Sequence, residues 1–178
     1  SCSRLCPPDG WARRVSAYHR QAMPPFDAKA LRTALGRFTT GVTIATCRDA
    51  QGQPVGLTAN SFNSLSLDPP LVLWSLRGAS PALAAFEAAS HFAINVLAES
   101  QVQLSRRFAS AVPDRFAEGQ WAEGAGRAPV LAGCCAVFEC ALHSHQRLGD
   151  HVLFVGEVVA MHEAALPPLL FQAGHYRL

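Results

Sequence analysis

Apolar and polar positions along this chain alternate in short β-type runs more often than they recur at helical spacing. Val42-Thr43-Ile44-Ala45-Thr46-Cys47 is rich in β-branched side chains, and Val55 to Thr58 follows a stretch, Asp49 to Pro54, whose Gly52 suits a hairpin connection. Leu71 to Leu76 and His91 to Leu97 predict two more strands. Cys135 to His145 and His151 to Met161 predict two long ones around a turn at Gln146 to Asp150, where Gly149 is available for positive φ. Leu169 to Phe171 predicts an edge strand. Helical patterns are brief. Asp27 is placed as the N-cap of a helix with Ala28, Leu31, Leu35 and Phe38 on one face and Phe26 and Leu31 as a hydrophobic staple. Ser80-Pro81 predicts the start of a short helix to about Ala89, and Ser100-x-x-Gln103, a capping-box pattern, precedes Leu104 and Phe108 on one face of another. Ala111 to Ala132, with Pro113, Gly119, Gly124, Gly126 and Pro129, reads as a long connection of the kind that shapes a site. Many strands, three short helices and no βαβ alternation predict an antiparallel barrel with peripheral helices rather than a parallel sheet.

Composition narrows the classes. With 178 residues, 49% apolar and 16% charged, the chain can bury a core as one domain, expected over 26–178 and preceded by an irregular extension over 1–25. Met23, just before Pro24-Pro25, reads as a natural start, and the residues before it lack the apolar stretch of a secretory signal. A net charge of +2 with scattered basic residues does not predict nucleic-acid binding, and no apolar run reaches the roughly 18 residues of a membrane span. The six cysteines form neither a paired framework nor a Cys-x-x-Cys unit, so reduced thiols and a cytoplasmic location are expected.

Three places could carry chemistry. The segment Gly56 to Pro70 concentrates hydroxyls and amides between two apolar strands and ends in a diproline. Such groups can match the donor and acceptor edge of a heterocycle, though their commoner role is to stabilise turns. Arg77-Gly78-Ala79-Ser80-Pro81 brings a guanidinium and a hydroxyl toward a helix start, where an anion would fit; an ordinary N-cap beside a solvated Arg explains the same residues. Gly149-Asp150-His151 places an imidazole at the mouth of a strand. His143 and His145 share a strand face, but Cys140 points to the other and no third ligand is spaced to help, so no metal site is expected.

In order along the chain, Gly41-Val42-Thr43-Ile44, Gly56-Leu57-Thr58-Ala59-Asn60-Ser61-Phe62, Ser64-x-Ser66-x-Asp68-Pro69-Pro70, Phe92-x-Ile94-Asn95-Val96-Leu97, Gly149-Asp150-His151 and Gly156-Glu157-Val158 resemble the flavin reductase-like domain family. The likeness spans about Leu31 to Tyr176. It implies a mainly β, FMN-binding split barrel, antiparallel and Greek-key-like, in which Thr58, Ala59, Asn60, Ser61, Ser64, Leu65 and Ser66 line the flavin. It further implies that Arg77 and Ser80 lie toward the flavin phosphate, that Phe108 edges the pocket, and that Gly149, Asp150 and His151 mark the nicotinamide side. The implied activity is reduction of FMN or FAD by NADH or NADPH in a homodimer that supplies a partner monooxygenase. A non-catalytic flavin-binding or flavin-storage protein on the same barrel is the main rival. An oxidase acting on a pyridoxal-type phosphate ranks third, because only the Arg77 region offers it basic residues.

Overall fold

The computed structural model describes residues 27–177. The expected irregular extension, the start at Met23 and the staple residue Phe26 lie outside them. The chain divides into two units, Ser1–Gly36 and Arg37–Leu178. In the first, α1 (Ala28–Leu35) begins where sequence placed it, with the Asp27 carboxylate accepting from Lys29 N–H at 3.0 Å.

The second unit is built on a seven-stranded antiparallel sheet. Its strands are β2 (Thr43–Arg48), β3 (Pro54–Ala59), β4 (Asn63–Leu67), β5 (Pro70–Arg77), β6 (His91–Val96), β9 (Ala136–Leu148) and β10 (His151–Glu163), in the order β3-β2-β6-β9-β10-β5-β4. The hairpins β2–β3, β4–β5 and β9–β10 pair locally, and β6 inserts between β2 and β9, which gives the Greek-key-like order. Short strands complete the unit. β1 (Thr40–Gly41) pairs with β11 (Leu170–Gln172), which pairs with β12 (His175–Arg177), while β7 (Trp121–Glu123) pairs with β8 (Pro129–Leu131). Two helices flank the sheet, α2 (Leu83–Ala88) and α3 (Val102–Ala109). Among the described residues no helix is long and apolar enough to cross a membrane.

Two apolar clusters explain the burial of the central strands. Trp74, Phe86, Phe92, Ile94 and Phe154 fill the barrel, the Trp74 ring stacking on Phe154 with centroids 5.0 Å apart. Val42, Ile44, Leu97, Phe108, Leu131, Val137 and Leu169 form a second cluster. Side chains of β2 alternate between the two clusters, so the strand is buried on both faces rather than half-buried. Asn95, fully buried beside it, donates to Ile44 O at 3.0 Å and accepts from Leu131 N–H at 2.8 Å, so its carboxamide is satisfied.

Four local expectations shift. The polar bend contains a strand of its own, β4, which pairs with β5 through a register irregularity between Ser64 and Ser66. The strands of the long hairpin run on to Leu148 and His151, so its turn is only Gly149-Asp150, with Gly149 at φ +60°. The helix expected from Pro81 begins at Leu83, because the Ser80 hydroxyl accepts from Ala82 N–H at 3.3 Å in a preceding turn. At α3 it is Gln101, not Gln103, whose side chain reaches back, accepting from Ala98 N–H at 3.0 Å. His143 and His145 diverge in environment: His143 meets Ser144, whereas His145 lies 5.8 Å from the Phe154 ring centroid and 4.0 Å from Glu87.

Candidate functional site

On one side of the barrel the sheet fails to close. Pairing of β4 with β5 ends at Asn63 and Leu73, and β3 has already stopped at Ala59. The Ser61 hydroxyl fills the gap, accepting from Ser75 N–H and donating to Ser75 C=O, both at 3.0 Å. One side chain thus stands in for a strand partner at a half-buried edge, where unmade backbone bonds would be costly.

A cavity of about 940 Å³ opens beside this seam. Its walls come from β3 and the bend (Gln53 to Ser61), the end of β5 and the following turn (Ser75 to Ala82), the end of α3 and its loop (Phe108 to Phe116), and His151. Gly56 permits the close approach of two of these walls. A Cβ there would meet Phe108 Cε1 at 2.9 Å and Phe116 Cζ at 3.0 Å, so only glycine lets both rings pack on the strand. The rings themselves meet edge to face, 5.0 Å between centroids, and give the cavity an apolar wall.

The sequence-predicted residues divide. Thr58, Ala59, Asn60, Ser61, Arg77, Ser80, Phe108 and His151 line the cavity together. Ser64, Leu65 and Ser66 do not; they lie on the edge strand β4, with Ser64 and Leu65 exposed. Gly149 and Asp150 form the tip of the β9–β10 hairpin outside the lining, where Asp150 acts on a neighbour. Its carboxylate lies 2.8 Å from His151 Nδ1, and this hydrogen bond, more than the charges of His151 and Arg77, holds the Asp150 carboxyl below the usual carboxylate range. Not all lining hydroxyls are free. Thr58 donates to Ser105 O at 2.7 Å and Ser61 is committed to Ser75, whereas the Asn60 carboxamide makes no hydrogen bond to the described residues.

Two groups of lining residues escaped the sequence reading. Gln53 to Val55 looked like hairpin and strand alone, and Val112 to Phe116 lay inside the long connection expected to shape a site, without a pattern that singled them out.

The cavity's size suits a flavin, and its composition pairs an apolar wall with a few polar groups from the bend and two guanidiniums, Arg77 and Arg115. A split antiparallel barrel with such a cleft along its open seam belongs to the class of cofactor-binding split barrels. More specifically, the chain belongs to the flavin reductase like domain family, whose pattern matches residues 35–178. It is 45% identical over 151 residues to the reductase subunit of stachydrine N-demethylase from Rhizobium meliloti, covering 85% of this chain and 66% of that protein. It is 43% identical over 150 residues to an FMN reductase (NADH) of Agrobacterium fabrum, covering 84% and 85%. Among solved structures, the NADH:FAD oxidoreductase of Streptomyces globisporus in complex with NAD and FAD fragments superposes with a TM-score of 0.82 at 38% identity, covering 88% of this chain and 94% of that one. The chain spans 66% of the length of the first of these relatives and as little as 47% of another.

Proposed function

We propose that this protein is an NAD(P)H:flavin oxidoreductase that reduces FMN or FAD and supplies the reduced flavin to a partner monooxygenase. The observation that carries the reading is the single cavity that joins the polar bend, Arg77 and His151 in a member of the flavin reductase like family. The names of its relatives, an FMN reductase using NADH and an NADH:FAD oxidoreductase, support either flavin with NADH as donor. Similarity to the reductase component of a flavin-dependent trigonelline monooxygenase from Acinetobacter baylyi, 44% identical over 147 residues, supports service to an oxygenase.

A bound flavin would supply the hydride-accepting ring, so the chain needs no nucleophile of its own. Its residues bind and orient. Asn60 and the backbone of Ala59 to Ser61 offer donors and acceptors for the ring edge, while Phe108 and Phe116 exclude water along one wall. Arg77, without an ion pair among the described residues, would meet a phosphate. Asp150 fixes the His151 ring through Nδ1, leaving Nε2 to position a nicotinamide amide.

A homodimer is part of the proposal. Exposed apolar side chains on β4 and β10, Leu67 at 94% and Met161 at 65%, support burial against a second copy. Cys47, Cys134, Cys135 and Cys140 are free thiols, which supports a reducing, cytoplasmic setting.

The decisive experiment is anaerobic stopped-flow mixing of the protein with NADH or NADPH and FMN or FAD, following loss of flavin absorbance. Bleaching well above the protein-free rate is expected. Tight flavin binding with no acceleration would overturn the reading in favour of a flavin carrier.

A further inference from the structure

The loop after α3 walls the cavity with Val112, Pro113 and Phe116, yet from Ala111 to Asp114 it has no strand or helix to hold it, and only a short turn at Arg115–Ala117 follows. Two guanidiniums supply the order. Arg107 donates to Arg115 O at 3.1 Å, to Asp114 O, and to the Glu118 carboxylate at 2.8 Å. Arg115 returns the contact, donating to Ser110 O through Nε at 3.1 Å and Nη2 at 2.8 Å, and it crosses to the barrel by donating from Nη1 to Gly56 O at 3.1 Å.

That last bond joins the two facing walls. Gly56 belongs to β3, the strand that leads into Thr58 to Ser61, and it is the position on which Phe108 and Phe116 pack. Arg115 therefore ties the loop to the strand that carries the polar bend, and a planar five-donor fork is the side chain able to take three such bonds at once.

We infer that Arg115 is a positioning residue for the ligand: by linking Ser110 to Gly56 it sets the distance between the 111–116 wall and the polar bend, and so governs flavin affinity. The inference rests on the proposed flavin reductase reading. Among the described residues no carboxylate pairs with Arg115, so its bonds are all to carbonyl oxygens: Asp114 caps Phe116 N–H at 3.0 Å, and Glu118 is taken by Arg107.

The test compares Arg115→Met, Arg115→Lys and Glu118→Gln with the parent protein. FMN dissociation constants come from equilibrium quenching of flavin fluorescence, and KM and kcat from NADH-driven reduction. Arg115→Met is expected to raise the FMN dissociation constant and KM about tenfold, with kcat at saturating flavin within about twofold of the parent. Arg115→Lys, which keeps one donor group, recovers part of the loss, and Glu118→Gln, which loosens the brace at its exposed end, gives a smaller rise in the same direction. Unchanged FMN affinity in folded Arg115→Met, or a loss confined to kcat, overturns the inference. If the parent protein binds FMN but never reduces it, the reductase reading fails while the affinity comparison still decides the role of Arg115.

Discussion

The Ser61 hydroxyl was expected to face a flavin, but its two bonds to Ser75 make it part of the barrel. Ser61→Ala deletes both and leaves a half-buried N–H and C=O on β5 without protein partners. A neutral hydrogen bond contributes about 0.5–1.5 kcal/mol net, and water entering from the cavity side will offset part of the loss, so a cost of about 1–2 kcal/mol is expected. With a urea m-value of about 2 kcal/mol/M, the unfolding midpoint falls by roughly 0.5–1 M at unchanged m. The assay is urea denaturation followed by far-UV circular dichroism, with and without saturating FMN. If the hydroxyl's work is structural, the midpoint drops as calculated and FMN affinity changes by less than about threefold. A midpoint within error of the parent, combined with a tenfold weaker FMN complex, would show that the ligand rather than Ser75 claims this hydroxyl and would refute the seam.

Four further outcomes follow from the geometry. His151→Ala should raise KM for NADH more than KM for flavin, and Asp150→Asn should do so to a smaller degree; an unchanged NADH constant in both removes the pair from the site. Because the Asp150 carboxyl is held low, its grip on His151 is present above the ordinary carboxylate range and is lost only as pH falls through the depressed value, so KM for NADH measured down an acid series should stay flat past the usual Asp titration and then rise. Arg77→Ala should weaken FMN more than riboflavin in fluorescence titrations, since only FMN has a phosphate to lose. Burial pushes Cys47, Cys134 and Cys140 up to about 12, leaving about one thiol in ten thousand ionised at pH 8, so an aromatic disulfide reagent should modify them only after denaturant is added.

The barrel was readable because its central strands combine β-branched composition with turn residues at their ends. The β2–β3 and β9–β10 hairpins needed only Gly52 and Gly149, and both have positive φ, +75° and +60°. β4 was not readable, since Asn63-Ser64-Leu65-Ser66-Leu67 at a sheet edge exposes leucines that alternation alone would have buried. Part of the candidate cavity could be located from Thr58 to Ser61, Arg77 and His151. Which hydroxyls remain available could not, because Thr58 and Ser61 find their partners at Ser105 and Ser75, far along the chain. The wall at 112–116 depends on guanidinium bonds to carbonyl oxygens, and carbonyls leave no trace in the identity of the residues that bear them.

The cavity draws on stretches from Gln53 to His151, with no single hairpin supplying more than a fraction of it. A partly unfolded chain therefore has nothing to offer a ligand, and occupancy selects the complete native state. By mass action, a ligand at a hundred times its dissociation constant would add about 2.7 kcal/mol to global stability, so the amount of intact protein in a cell would track the free pool of whatever fills this cleft.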